Sequence, residues 1–186
     1  EINAVVTRDF ERALSESELA DEKTSRGETL GPLHGIPITV KDALATEGLR
    51  STGGAVELSD NVPNDDAAVV RAVRDAGAIV MGKTNLPRWS GDIQAYNEMF
   101  GTTNNPWDLE RVPGGSSGGA AAAVAMGFTS FEIGTDIGGS IRFPAAFNGV
   151  WGHKPSFGLI PTTGYLDYEN GGLNEADINV FGPIAR

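Results

Sequence analysis

The sequence predicts an α/β fold, and two stretches carry that expectation. In the first, Ala68, Val69, Ala72 and Val73 recur at helical spacing, Gly77 ends the run, and apolar Ala78-Ile79-Val80-Met81 follows at strand length. In the second, the β-branched Ile38-Thr39-Val40 leaves a turn-rich segment, Gly31 to Pro37, as a short buried strand. At 186 residues the chain is long enough for one domain with a real core.

Taken in order, residues 2–20 place Val5, Val6, Phe10, Ala13 and Leu14 at helical spacing with charges between them, which predicts an amphipathic packing helix. Lys41 falls at the end of the 38–40 strand. Asn64 and Asp65 are the expected N-caps of the next helix and Gly77 its C-cap. From Trp89 to Pro113 the chain is rich in Asn, Gly, Pro and aromatics without periodicity and reads as a long structured loop. Ser117 to Phe128 is alanine-rich and predicts a helix that packs closely, and Phe131 to Thr135 a strand leading into the loop at Ser140. Residues 162–177 read as irregular, and no sheet-closing element is expected around Phe181-Gly182-Pro183.

Composition narrows the chemistry. Glycine supplies 25 of 186 residues, about twice the usual ~7%, so some part of the fold needs permissive backbone. A net charge of −11 argues against a nucleic-acid or anionic-membrane surface and favours small uncharged or cationic partners. Without cysteine there is no thiolate nucleophile or Cys-ligated zinc, and with only His34 and His153 a His-rich metal site is not expected. Neither a cofactor nor a metal is called for. No apolar run approaches the ~18 residues of a membrane span, so a soluble, cytoplasmic protein is expected, although a start at Glu1 leaves a removed targeting segment open.

Three motifs compete for the function. Gly77-Ala78-Ile79-Val80-Met81-Gly82-Lys83-Thr84 matches the P-loop pattern, but helix precedes it and its interior is apolar like a strand, where a P-loop follows a strand and opens a helix. Gly115-Ser116-Ser117-Gly118-Gly119 matches the nucleophile elbow with Ser117 as nucleophile, but no strand precedes it. The third is a pair of glycine-rich serine loops. One is Pro113-Gly114-Gly115-Ser116-Ser117-Gly118-Gly119, and the other is Thr135-Asp136-Ile137-Gly138-Gly139-Ser140-Ile141-Arg142-Phe143-Pro144, with Lys41 upstream. Glycines beside hydroxyls let several N–H groups turn toward one point, as a tetrahedral oxyanion requires.

This third pattern strongly resembles the amidase signature family. The two loops, the separation of 24 positions from Ser116 to Ser140, and Val40-Lys41-Asp42 carry the resemblance. So do Gly35-Ile36-Pro37, Gly82-Lys83-Thr84-Asn85, Asn105-Pro106-Trp107, Gly149 and Lys154-Pro155, and together the matches cover most of residues 31–162. The resemblance implies a mixed β-sheet flanked by helices. It also implies a single domain over residues 1–186 that is incomplete on its C-terminal side, with the N-terminal side left open, because members are longer.

For the chemistry, the resemblance implies Ser140 as nucleophile, Ser116 as the bridging serine behind a cis Gly115–Ser116 peptide, and Lys41 as terminal base. Backbone N–H groups of Ile137, Gly138, Gly139 and Ser140 would form the oxyanion hole. To accept a proton near neutral pH, Lys41 must be buried enough to lose its charge. Ser117 either donates to Ser140 or Ser116 or caps the following helix, Asp136 and Arg142 brace the loop by opposite charge, and Phe143 lines the substrate pocket. Asp42 is expected on the far side of the strand from Lys41. His34 and His153 read as structural.

The implied activity is hydrolysis of a small-molecule carboxamide through a Ser140 acyl-enzyme, with no direct nucleic-acid or membrane partner and with a homodimer left open. Two further readings remain: the glutamine-hydrolysing component of a tRNA-dependent amidotransferase, and a non-catalytic binding fragment. Phe143 after Arg142, and Trp151-Gly152-His153, look more like stand-alone amidases. Arg88 stands where many members carry an acidic residue.

Overall fold

The computed structural model describes residues 1–167 and 178–186. A mixed six-stranded sheet lies at the centre, built from β1 (Val5–Arg8), β2 (Pro37–Lys41), β3 (Ile79–Thr84), β6 (Phe131–Asp136), β7 (Trp151–Gly152) and β8 (Val180–Ala185) in the order β1-β3-β2-β6-β8-β7. β3, β2 and β6 run parallel, while β1, β8 and β7 pair antiparallel with their neighbours. The expected α/β class and mixed sheet are therefore present.

Alternation along the strands divides the core. Ile38, Val40, Val80, Ile133 and Phe181 join Val69 and Val70 of α2 (Ala68–Asp75) in the larger cluster. A second cluster joins Ala120, Ala121 and Val124 of α3 (Gly118–Ala125) to Ile141 and Ile184. All eight residues of α3 are buried, because only Gly, Ala and Val side chains let a helix approach this closely. α4 (Arg142–Asn148) packs beside α3, and α1 (Phe10–Ser25) packs along β3.

Several elements differ from expectation. Residues 2–20 hold a strand and then a helix: Val5 and Val6 belong to β1, which pairs with β3, and Phe10 and Leu14 are 52% and 65% exposed. Two adjacent β-branched residues sit at a sheet edge more readily than in a helical turn. Asn64 and Asp65 do not cap α2, whose N-cap is Ala67, while Asp66 Oδ1 accepts from the Glu47 N–H at 2.7 Å. Its C-cap is Ala76, with Gly77 following in the left-handed region at φ 96°. β3 runs on through Lys83 and Thr84 because those polar side chains find partners inside the protein. The 89–113 loop contains a small hairpin, β4 (Tyr96–Asn97) with β5 (Gly101–Thr102).

The largest departure is β8. Gly182 and Pro183 disguise it, yet it lies between β6 and β7, pairing with β6 from Val180↔Asp136 to Ala185↔Phe131. Glycine is required at 182: a Cβ there would stand 2.1 Å from the His153 carbonyl oxygen. The stretch expected to be irregular, 162–177, falls from 168 to 177 outside the described residues.

Candidate active site

Three strand ends and two loops converge around Lys41, the last residue of β2. Its side chain is fully buried, and its Nζ donates to Ser116 Oγ at 2.7 Å and Thr135 Oγ1 at 2.8 Å. Burial drives the lysine pKa from 10.5 down to about 7, against the carboxylates of Glu132 and Asp136, which pull it upward. An amine in this state exchanges a proton near neutrality. Asp42 points elsewhere, taking the Thr52 N–H at 3.2 Å and its hydroxyl.

Ser116 is fully buried, and the peptide joining it to Gly115 is cis. The two serine loops are tied where the Ser117 N–H donates to the Ser140 carbonyl at 3.2 Å. The Ser117 hydroxyl takes none of the expected roles. Although it occupies the N-cap position of α3, its hydroxyl makes no capping bond; it donates to Thr135 O and accepts from the Thr135 N–H, both at 3.3 Å. The reason lies in Gly134, where a Cβ would come within 3.0 Å of Ser117 Oγ, so the missing side chain leaves the hydroxyl room to reach β6.

The Ser140 loop is wound around one buried carboxylate. Asp136 accepts from the N–H groups of Gly139 (2.9 Å), Ile141 (3.0 Å) and Arg142 (3.3 Å), and from Arg142 Nε (3.1 Å) and Nη2 (2.9 Å). Burial alone would push this carboxyl up, but Arg142 and the N–H donors outweigh it and hold it below the ordinary value. Gly139 therefore departs from its expected place in the oxyanion hole, because its N–H is aimed at Asp136. The N–H groups of Ile137, Gly138 and Ser140 make no hydrogen bond among the described residues, Ile137 and Gly138 are exposed, and Ser140 is half-buried. Phe143 lies against this turn: a Cβ on Gly139, at φ 129°, would stand 2.4 Å from its ring.

Sequence reasoning missed Thr135, the second acceptor for Lys41, and two more buried charges. Lys83 donates to Leu44 O, to Thr46 Oγ1 (2.7 Å) and to Ser51 Oγ (3.0 Å), and burial lowers its pKa to about 8. Glu132 is fully buried near the start of β6. A charged residue inside an otherwise apolar strand was the signal available for both.

Of the two histidines expected to be structural, His34 has side-chain partners that tie elements together. His34 joins α1 to the 30–35 turn through Thr24 Oγ1 (2.9 Å) and the Leu30 N–H (2.9 Å). The P-loop match Gly77–Thr84 is a helix end followed by a strand. Arg88 pairs with Glu57 on the surface. Among the described residues no group of His, Asp or Glu is arranged to hold a metal ion, and no helix is long and apolar enough to cross a membrane.

Known proteins share this fold. The Amidase family profile matches residues 1–186. The chain is 47% identical over 185 residues to a glutamyl-tRNA(Gln) amidotransferase subunit of Moorella thermoacetica, covering 100% of this chain and 37% of that protein. Against the corresponding protein of Alkaliphilus metalliredigens it is 48% identical over 167 residues, covering 90% and 34%. Among solved structures, the native peptide amidase of Stenotrophomonas maltophilia superposes with TM-score 0.84 at 38% identity, covering 100% of this chain and 37% of that one. A fatty acid amide hydrolase superposes with TM-score 0.92 at 33% identity, covering 100% and 32%. The chain thus spans about a third of the length of the relatives it matches. With the profile spanning every residue and the same sheet recurring in these structures, the chain belongs to the amidase signature family.

Proposed function

We propose that the chain carries the serine–serine–lysine centre of an amidase that hydrolyses a small-molecule carboxamide. The observation behind this reading is Lys41: fully buried, brought near neutrality by that burial, and 2.7 Å from Ser116, whose loop is hydrogen-bonded to the Ser140 loop. Ser140 Oγ attacks the amide carbonyl carbon while its proton passes to Ser116 Oγ, and the Ser116 proton passes to Lys41 Nζ. The oxyanion forms against the N–H groups of Ile137, Gly138 and Ser140, a set in which each donor is typically worth about 3–4 kcal/mol. Lys41 returns its proton through Ser116 to the leaving nitrogen, and ammonia or an amine departs. Water then adds to the Ser140 ester along the same relay, releasing the acid and restoring the serine.

Phe143 would contribute to the acyl pocket, supported by its 44% exposure beside the nucleophile loop. Asp136 and Arg142 would hold the loop in register.

A second reading is supported by the curated relatives, which bear an amidotransferase name and share 47% and 48% identity with this chain. In that case the same centre deamidates glutamine and the ammonia goes to a partner. The peptide amidase and fatty acid amide hydrolase neighbours, with Phe143 after Arg142, favour the stand-alone enzyme. Ammonia release by the purified protein from a panel of primary amides decides between them. Turnover of aliphatic or aryl amides without added partner is expected, whereas turnover of glutamine alone, and only with partner proteins present, would establish the second reading.

A further inference from the structure

Lys41 Nζ has two partners, and one of them stands outside the proposed relay. Ser116 Oγ, at 2.7 Å, gives its own proton to the amine and takes another from Ser140, so it changes role during the reaction. Thr135 Oγ1, at 2.8 Å, takes part in neither transfer, and among the described residues it makes no hydrogen bond except to Lys41. Thr135 is 2% exposed, so water does not compete for that contact.

The threonine is fixed from the relay side as well. It stands on β6 opposite Phe181 of β8; its N–H donates to the Ser117 hydroxyl and its carbonyl accepts from it, both at 3.3 Å. Ser117 is joined by its peptide bond to Ser116. Lys41, Ser116, Ser117 and Thr135 therefore form a closed ring of contacts, in which the spacing of the two oxygens on Lys41 is set by β6 and the serine loop and not by the flexible lysine stem.

A neutral amine carries two N–H groups and one lone pair. To take the Ser116 proton it must turn the lone pair to Ser116 Oγ, so that the 2.7 Å contact runs from hydroxyl to amine, and its N–H groups need an acceptor elsewhere. Thr135 Oγ1 is placed to accept one of them. Without it, Ser116 Oγ would be the one side-chain acceptor left to Lys41 among the described residues, and rotation about the Cε–Nζ bond would aim an N–H at that oxygen and turn the lone pair away. Once the proton has moved, the same threonine oxygen accepts from the ammonium, a hydrogen bond to a charge in a site closed to water. We propose that Thr135 is a positioning residue that aims the Lys41 lone pair at Ser116 and holds the ammonium once it forms. The inference rests on reading Lys41 as the terminal base.

The charged groups acting on Lys41 are Glu132 and Asp136 of β6, and Asp136 is paired with Arg142 of α4. Asp42, next in the chain, is held by Thr52, and Lys83 of β3 by Leu44, Thr46 and Ser51. α3 and β8, of sequences GGAAAAVA and VFGPIA, carry no titratable side chain. A change at Thr135 removes none of these charges, so a shift in the titration of the lysine reports the loss of the hydroxyl.

The test is the rate at which a fluorophosphonate labels Ser140, followed against pH in the full chain and in Thr135→Val, Thr135→Ser and Lys41→Ala. Thr135→Val keeps the shape, leaves no gap for a water and removes the acceptor. It is expected to lower the plateau rate about 10- to 100-fold, the worth of a hydrogen bond to a charged group. Because the ammonium form loses an acceptor, the acid midpoint should also move down by about one pH unit. Thr135→Ser keeps the hydroxyl on a less restricted χ1 and should stay within about threefold of the parent, with its midpoint unmoved. If the valine variant does not fold, Thr135→Ala is judged against Thr135→Ser by the same criteria. Parental rate and midpoint in the variant lacking the hydroxyl, with labelling abolished in Lys41→Ala, would overturn the role of Thr135 and leave the relay intact. Slowing with no shift of midpoint, or equal slowing in Thr135→Ser, would mark a merely structural contribution and overturn it too. Labelling of Lys41→Ala at the original rate would overturn both the role of Thr135 and the relay.

Discussion

The burial that lowers the pKa of Lys41 also destabilises the protein. Its pKa falls from 10.5 to about 7 on folding, so between those values the unfolded chain holds a proton the folded chain lacks, and stability rises with pH across that window. Lys41→Met should therefore raise the melting temperature at pH 7, with the advantage shrinking toward pH 10, while abolishing amide turnover. A variant no more stable than the parent at pH 7 would show that desolvation of the amine is relieved elsewhere. Activity has the matching sign: with the neutral amine as base, kcat/KM should climb as pH rises through about 7. Ser116→Ala, which breaks the 2.7 Å contact to Lys41, should lower kcat/KM by roughly 10²–10⁴ and leave the melting temperature within a few degrees.

The elements explain why the site forms where it does. β2 delivers Lys41, β6 delivers Thr135 and Asp136, and α3, made of the smallest side chains, lets the Ser116 loop descend onto the sheet. Gly182 does comparable work on the far side, where His153 O approaches within 2.1 Å of a would-be Cβ. Gly182→Ala should cost about 3 kcal/mol, the upper end for overpacking, read as a lower urea midpoint. The elements with regular apolar patterns were legible in the sequence: Ile38-Thr39-Val40, the helix over 68–75, the alanine helix and the strand from Phe131. β8 was not, because Gly182 and Pro183 read as turn residues until their positions between β6 and β7 are known. Residues 2–20 misled because Val5, Val6 and Phe10 satisfy a helical spacing that a strand followed by a helix also produces.

Across the whole molecule, the two larger hydrophobic clusters share β8: Phe181 belongs to one and Ile184 to the other. Neither can dissolve without disturbing β8, so residues 1–186 are expected to melt in a single cooperative transition, and two separate transitions would contradict this coupling. The candidate site was legible at the level of residue types and spacing, since the two serine loops and Lys41 could be paired without coordinates. The direction of individual bonds was not: that Ser117 serves β6, that the Gly139 N–H serves Asp136, and that Thr135 accepts from Lys41 all depend on where neighbouring strands stand. Common to these scales is the claim that Ser140 is a nucleophile driven by a buried lysine. It is tested most directly by intact-mass measurement after fluorophosphonate treatment, with peptide mapping of the adduct. One adduct on Ser140, absent in Lys41→Ala, is the predicted result, and an adduct on Ser117, or one on Ser140 that persists without Lys41, would contradict it.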